Sequence, residues 1–293
     1  GGCGKTTFLE AALLATGAIT RMGKVEDGNT TSDYDKMEIE KKHSISTTLV
    51  PVEYQGYKYN FLDTPGLFDF TGEIRSALST AASSIIMVDA SAGVQVGTEK
   101  AWEECSKHKN PKFIVLTKID KENVDVDKVV AQLREKFGNS VVTDDDKDAL
   151  NEAVAGTDEA LMEKFFNEEP FTDEEFYNGL MTGIATGDVV PIIKMSSKTG
   201  EGVDEVLRSI SKYVPTPNMH PAYPAKNIKG EDVEITTDPA EKPVLWVFKT
   251  IADPFLGRIS YAKVITGTVK VGQELYNRSE EHTSELQSRD SIS

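Results

Sequence analysis

The feature that most constrains this chain is a glycine-rich run placed directly ahead of an apolar helix pattern. The tripeptide Gly4-Lys5-Thr6 completes the phosphate-binding pattern GxxxxGK[ST], whose first glycine would stand two places before Gly1. Glycines let backbone amides approach phosphates, and the following helix points its positive end at the anion. A glycine-rich entry into an ordinary helix is the alternative. We expect a phosphate site formed by Gly1, Gly2, Cys3, Gly4, Lys5, Thr6 and Thr7.

Short apolar runs alternate with helical patterns over the first two thirds of the chain. Residues 47–54 and 57–62 are predicted strands, and the Gln55-Gly56 pair between them indicates a hairpin. The alternation of strands and helices then continues through residues 85–88, 97–108, 113–116, 126–137, 189–195 and 202–213. Helices joining parallel strands produce such a pattern, so we predict the α/β class with a doubly wound, mostly parallel sheet.

Composition and charge narrow the class of function. Hydrophobic residues make up 39% and charged residues 27%, and no apolar run is long enough to predict a membrane span. Cys3 and Cys105 are too few for a disulfide framework, which favours a reducing, cytoplasmic setting, and no leader sequence indicates export. The net charge of -16 argues against a domain that grips nucleic-acid backbones by itself. A local basic patch or a further domain would still permit a ribosome partner.

A carboxylate follows the second predicted strand, in the sequence Asp63-Thr64-Pro65-Gly66. A carboxylate at a strand end beside phosphates can hold Mg²⁺ through water, and the Gly66 amide can sense a γ-phosphate. An ordinary turn containing Pro and Gly is the alternative. Together with the first loop, this predicts that Lys5 contacts the β- and γ-phosphates and that Thr6 and Asp63 serve Mg²⁺. We expect Lys5, Thr6 and Gly66 to have the catalytic roles.

Two later strand ends predict a guanine site. Thr117-Lys118-Ile119-Asp120 matches the pattern [NT]KxD, in which the Asp120 carboxylate accepts from guanine N1 and its amine while the Lys118 stem lies along the base. Thr117 stands where Asn is usual and can make fewer hydrogen bonds. The weaker motif Ser196-Ser197-Lys198 would supply backbone amides to the base oxygen.

The polar segment 18–43 has no clear period, so we predict a mobile loop there. A hydroxyl near its end is needed to complete the Mg²⁺ shell once the γ-phosphate is bound, and Ser44 is the candidate. Ordering of the loop by phosphate and metal would then act as a switch. We interpret His43 as an ordinary exposed residue rather than a base or ligand.

The chain divides into four predicted parts. Residues 1–214 form a nucleotide-binding domain that begins inside its phosphate loop, with an acidic helical insertion at about 138–188 whose charges we interpret as a solvated face. Residues 215–240 form a proline-rich linker, and 241–277 begin a small β-barrel. Residues 278–293 lack periodicity; we expect a non-native tail, with a genuine disordered tail as the alternative.

These motifs together resemble the elongation factor G branch of the translational GTPases over roughly residues 1–277. The most specific similarity is the stretch Ala252-Asp253-Pro254-Phe255-Leu256-Gly257-Arg258, and Asp69-Phe70 and Tyr213-Val214-Pro215-Thr216-Pro217 also match. The resemblance implies a P-loop GTPase fold and a GTP-driven factor that engages the ribosome beside its stalk proteins and RNA, with GTP, GDP and Mg²⁺ as ligands. It further implies a monomer in the cytoplasm.

Four departures from the family pattern resemble the elongation-factor-G-like paralogues. Leu67 replaces the histidine after DTPG and cannot orient a water. Gly2 replaces an aspartate, and Thr117 replaces Asn. Lys42, His43 and Ser44 replace the Gly, Ile and Thr of the switch.

Three functions remain open from the sequence. A GTPase stimulated by the ribosome is the leading interpretation, because positioning and charge neutralisation by Lys5, Mg²⁺ and backbone amides supply most of such catalysis. Leu67 favours a non-hydrolysing GTP-gated ribosome binder instead. A ribosomal-protection protein fits less well, since those relatives generally keep the histidine.

Overall fold

A computed structural model describes residues 1–33, 35–214, 216–217, 222–227, 229–253, 255, 257–277 and 282–285. The chain divides into two compact units, Gly1–Val214 and Pro215–Ser293. Within the described part, none of the helices combines the length and the hydropathy that crossing a bilayer requires.

A four-stranded parallel sheet forms the centre of the first unit. Its strands are β3 (Ser84–Asp89), β4 (Lys112–Thr117), β5 (Val141–Thr143) and β6 (Val190–Lys194), in the spatial order β3-β4-β6-β5. An antiparallel hairpin, β1 (Thr48–Tyr54) and β2 (Tyr57–Asp63), pairs Thr48 with Asp63. Gln55 and Gly56 both have positive φ, as a two-residue hairpin turn requires. The predicted α/β class with a mostly parallel sheet is confirmed.

Nine helices accompany these strands in the described part of the first unit. They are α1 (Lys5–Ala15), α2 (Lys36–Lys41), α3 (Thr71–Thr80), α4 (Val96–Lys107), α5 (Val126–Phe137), α6 (Lys147–Ala155), α7 (Glu159–Phe166), α8 (Asp173–Thr186) and α9 (Val203–Tyr213), with 3₁₀ turns at Val25–Asp27 and Phe68–Phe70. Three of them, α6 to α8, lie in the segment for which a helical insertion is predicted.

The central strand β4 shows why the sheet needs helices on both faces. All of its residues are buried, and alternate side chains enter different cores. Phe113 and Val115 pack in a core that includes residues of α1 and α9. Ile114 and Leu116 pack in a second core with residues of α4 and α5. Because both faces are covered, the strand is apolar almost throughout instead of alternating with polar residues.

The segment 18–43 is more regular than the sequence analysis predicts. Its helix α2 begins where the Asp35 carboxylate accepts from the Met37 amide at 2.7 Å, which is an N-cap contact. Glu38 in this helix is buried. The prediction of a loop throughout was wrong because the helix is too short to show an apolar period, and its buried side is polar.

The second unit consists of antiparallel pairs. β7 (Tyr223–Lys226) pairs with β8 (Asp232–Ile235), β9 (Val244–Asp253) with β10 (Gly257–Thr266), and β11 (Glu274–Asn277) with β12 (His282–Glu285). The first pair lies inside the predicted linker, and β12 lies inside the predicted tail. Pro215, Pro221, Pro254 and Leu256 are outside the described residues, as is the rest of segment 278–293.

Candidate functional site

The phosphate loop has the backbone shape that its glycines allow. Gly2 and Gly4 have φ of 76° and 89°, in the left-handed region where a Cβ is strained. α1 begins at Lys5 directly after Gly4, so the first amides of the helix face the loop. Cys3 and Thr7 are half-buried. The first N–H groups of a helix have no partner within the helix, and this positive end is where anions bind in proteins.

A buried cluster joins α1 to the end of β2. The Thr6 hydroxyl donates to Asp63 Oδ2 at 2.7 Å, and the Ser32 hydroxyl donates to the same oxygen at 3.2 Å. Burial raises the pKa of the Asp63 carboxyl above its ordinary value, although the Thr6 hydrogen bond and the Lys5 charge oppose this. The other oxygen, Oδ1, is buried without a hydrogen-bond partner among the described residues.

Gly66 lies against the phosphate loop. The Gly1 amino group donates to the Gly66 carbonyl at 3.0 Å. A Cβ added at Gly66 would stand 2.8 Å from Gly1 Cα and 2.9 Å from Lys5 Nζ, so no side chain fits. The next residue, Leu67, is 38% exposed. The structure therefore brings the DTPG motif and the Lys5 ammonium into one place.

Ser44 lies on a second carboxylate in this region. Its hydroxyl donates to Asp33 Oδ1 at 2.7 Å, and Thr30 donates to Asp33 Oδ2 at 3.4 Å. The charge of Asp33 also raises the pKa of Asp63, which indicates that the two carboxylates are near each other. No hydrogen bond is described between Ser44 and either Thr6 or Asp63. His43 is half-buried and its Nδ1 is 2.8 Å from the Lys41 carbonyl oxygen.

Two acidic side chains whose contacts the sequence analysis did not predict hold the end of the switch segment, which comprises residues 18–47. Glu38 Oε1 accepts from the amides of Ile45 at 2.8 Å and Ser46 at 3.1 Å. Glu73 Oε2, on α3, accepts from the amide of Thr47 at 2.6 Å. Sequence patterns give neither residue this role, because a carboxylate that accepts from backbone amides needs no particular side chain as its partner.

The guanine-side motif at the end of β4 is tied to the phosphate loop. The Thr117 hydroxyl donates to the Cys3 carbonyl at 2.8 Å and to the Val88 carbonyl at 3.2 Å. Lys118 has φ of 60° and donates to the Gly2 carbonyl at 2.7 Å. Thr117 is shorter than the Asn that is usual at this position, yet its hydroxyl contacts the phosphate loop.

Asp120 and the Ser196-Ser197-Lys198 motif meet at the neighbouring strand ends. The Ser196 hydroxyl, which is fully buried, donates to Asp120 Oδ1 at 2.6 Å. Lys198 Nζ is 4.0 Å from Asp120 Oδ2. The Ser196 hydrogen bond lowers the pKa of Asp120, with smaller help from Lys198. Asp120 therefore stays ionised as an acceptor. Ser197 is half-buried beside this pair.

Comparison with known proteins identifies the family. Residues 2–216 match the profile described as the elongation factor Tu GTP binding domain. The chain belongs to this family. It is a translation-factor-like GTP-binding protein with a P-loop GTPase fold.

The chain is similar to curated elongation factor G-like proteins and to one solved structure. An elongation factor G-like protein of Mycobacterium tuberculosis is 29% identical over 92% of this chain and 43% of its own length. One of Thermotoga maritima is 27% identical over 97% of this chain and 47% of its own. A crystal structure of a Thermus thermophilus protein has a TM-score of 0.81 at 28% identity, over 97% of this chain and 46% of that one. The GTPase chain thus spans less than half the length of these relatives.

Proposed function

We propose that this chain binds GTP with Mg²⁺ and hydrolyses it to GDP and phosphate on the ribosome during translation elongation. The observation that carries the proposal is the Thr6–Asp63 contact at the phosphate loop, with the second Asp63 oxygen buried and unpartnered among the described residues. A buried carboxylate oxygen without a donor is costly unless a cation or water joins it. The ionised Asp120 at the guanine side gives the same site its base selectivity.

The phosphate and base contacts are assigned to residues of the phosphate loop, of the DTPG motif and of the loops after β4 and β6. The loop amides and Lys5 would bind the phosphates, and Gly66 would approach the γ-phosphate. Thr117, Lys118 and Asp120 would bind the guanine, with the backbone of Ser196, Ser197 and Lys198 closing around it. Strand ends of a parallel sheet are where such ligands bind.

The oxygen atoms of Thr6, Asp63 and Ser44 are suitable ligands for a magnesium ion. Hydroxyl and carboxylate oxygens are the ligands that Mg²⁺ accepts, and it is usually completed by waters and phosphates rather than by a cage of protein carboxylates. Thr6 would ligate the ion directly, Asp63 through water, and Ser44 after the switch segment moves from Asp33. Bound Mg²⁺ would neutralise charge that develops on the phosphate oxygens.

Hydrolysis would depend on positioning. Lys5 and the Gly66 amide would stabilise the charge of the transferred group, while Thr6 fixes the phosphate end of the nucleotide. Leu67 has no polar atom to orient the attacking water. We therefore assign that task to a ribosomal component or to the backbone around Gly66. We expect slow turnover in the absence of ribosomes.

A second candidate function follows from Leu67. A GTP-gated ribosome binder that does not hydrolyse GTP would use the same nucleotide site and would be released by exchange. For either function the partner is the ribosome, through rRNA and stalk proteins, and the setting is the cytoplasm with a monomeric protein. The similarity to elongation factor G-like proteins supports this assignment.

GTP turnover by the full chain, with and without ribosomes, tests the proposal. We expect ribosomes to raise turnover at least about tenfold, and Leu67→His to raise it further, because a general base adds about 10² or more. Leu14→His is the matched control, since Leu14 is similarly exposed, at 42%. Absence of turnover with preserved GTP-dependent ribosome binding would favour the second candidate. Failure to bind guanine nucleotide would overturn both.

A further inference from the structure

Glu10 joins the phosphate-loop helix to two separate points of the switch segment. Its side chain is 2% exposed on α1. Oε2 accepts from the Gly23 amide at 2.6 Å, and Oε1 accepts from the Thr31 amide at 2.6 Å. Charge-assisted hydrogen bonds of this kind are short and strong. A buried carboxylate therefore anchors both ends of the backbone stretch 23–31.

Hydrogen bonds within the stretch between these two anchors stabilise its turn. The Lys24 amide donates to Asn29 Oδ1 at 2.7 Å, and the Gly28 amide donates to the Val25 carbonyl at 3.1 Å. A Cβ at Gly23 would stand 2.4 Å from the Asn29 carbonyl oxygen and 2.8 Å from Glu10 Oε2. Only a glycine at position 23 lets the backbone come this close to Asn29 and Glu10.

The anchor at Thr31 immediately precedes the polar cluster of the nucleotide site. Ser32 donates to Asp63, and Asp33 accepts from Ser44. On α1, Glu10 follows Thr6 by four residues and so lies on the same face of the helix. Helix α1 thus carries both the Thr6 hydroxyl, which contacts Asp63, and the Glu10 carboxylate, which holds the backbone immediately before Ser32.

We propose that Glu10 is a positioning residue that holds residues 23–31 on α1, and thereby keeps Ser32 and Asp33 beside Asp63 and the nucleotide. Both Glu10 oxygens accept from backbone amides of this stretch, so we assign Glu10 no direct contact with the nucleotide. The part of this inference that concerns nucleotide rests on the proposed function, whereas the hold on the backbone stands independently of it. Loss of the hold would loosen the switch segment and weaken the Mg²⁺-dependent retention of GDP.

Hydrogen exchange of the nucleotide-free full chain tests the hold on the backbone. In the wild-type protein we expect slow exchange at the amides of Gly23 and Thr31; exchange at the rate of an open loop would overturn the proposal even if no variant folds. In Glu10→Gln the carboxamide keeps one acceptor oxygen but turns an NH₂ toward the other amide. We expect exchange at one or both amides to accelerate about tenfold or more. Glu26→Gln, an exposed change in the same stretch, is the matched control.

Release of a fluorescent GDP analogue at varied Mg²⁺ concentrations tests the positioning. We expect Glu10→Gln to need at least about tenfold more Mg²⁺ than wild type or Glu26→Gln for the same retention, a change of about 1.4 kcal/mol. Faster exchange with unchanged Mg²⁺ dependence would make Glu10 purely structural and overturn its positioning role. Failure of wild-type protein to bind GDP would instead contradict the proposed function, and the exchange result would still decide the hold on the backbone.

Discussion

The Lys118 ammonium lies 2.6 Å from Asp89 Oδ2, which joins the end of β4 to the end of β3. The same ammonium donates to the Gly2 carbonyl at 2.7 Å. Burial raises the pKa of the Asp89 carboxyl, but hydrogen bonds from Lys118 and Ser91 more than offset this and leave it below its ordinary value. Asp89 therefore carries the charge that holds Lys118, a predicted guanine-site residue, against the phosphate loop.

Loss of the Asp89 charge should weaken nucleotide binding. In Asp89→Asn the Lys118 ammonium keeps only its weaker contacts, so we expect GDP affinity to fall about tenfold, in line with about 1.5 kcal/mol for one charge-assisted hydrogen bond. Calorimetric titration with GDP measures the change. Asp144→Asn, an exposed change of the same kind, should leave the affinity as it is. An unchanged Kd in Asp89→Asn would show that Lys118 needs no anchor.

A methyl group at Gly66 should displace the phosphate loop. The contacts at 2.8 Å to Gly1 Cα and 2.9 Å to Lys5 Nζ leave no room, so Gly66→Ala should destabilise the protein by about 1–3 kcal/mol and reduce GTP affinity. Gly72→Ala is the control, because no atom lies within 4 Å of a Cβ there and the residue is in α3. It should stabilise the protein by up to about 1 kcal/mol. Thermal unfolding that ranks the two variants equally would contradict this account.

The Asp120 carboxylate should discriminate between GDP and inosine diphosphate, whose base lacks the exocyclic amine. One hydrogen bond to a charged group is worth about 1.5–3 kcal/mol, so we expect GDP to bind about 10- to 100-fold more tightly. Asp120→Ala should bind both weakly and lose this preference, while Glu122→Gln, an exposed neighbour, should keep it. Competition binding with the two nucleotides measures the ratio. A preference that survives in Asp120→Ala would assign base selectivity to other residues.

Helix α8, in the segment 138–188, contains a carboxylate whose titration can be followed directly. The Lys164 ammonium, together with the Thr172 amide, lowers the pKa of Glu175 from 4.5 to about 2. Because the pKa of this carboxyl is lower in the folded state than in the unfolded state, its ionised form stabilises the fold at pH values above about 4.5. This contribution is lost as pH falls from about 4.5 toward 2. NMR titration should find the low pKa, and Lys164→Ala should raise it. Lys147→Ala, on α6, should not; equal shifts in both variants would contradict the assigned cause.

Sequence reasoning succeeded where a pattern is local. The strands around Gln55-Gly56, the buried β4 and the α/β class follow from periodicity and turn chemistry over a few residues. The phosphate, DTPG and [NT]KxD motifs are likewise contiguous, and hydrogen bonds join the phosphate loop to each of the other two. The individual roles of all the predicted site residues stay predictions, since ligand contacts decide them.

Tertiary structure decided how these local pieces are held. Glu10, Glu38 and Glu73 are ordinary acidic residues in the sequence, yet each accepts hydrogen bonds from backbone amides of the switch segment. The Thr6–Asp63 contact joins residues 57 positions apart. A carboxylate that pairs with a distant amide leaves no periodic or motif signature, because its partner is the backbone of any residue that the chain path brings near. The sequence by itself thus determined the fold class and the ligand motifs, and only the folded chain determined which acidic residues keep those motifs in place.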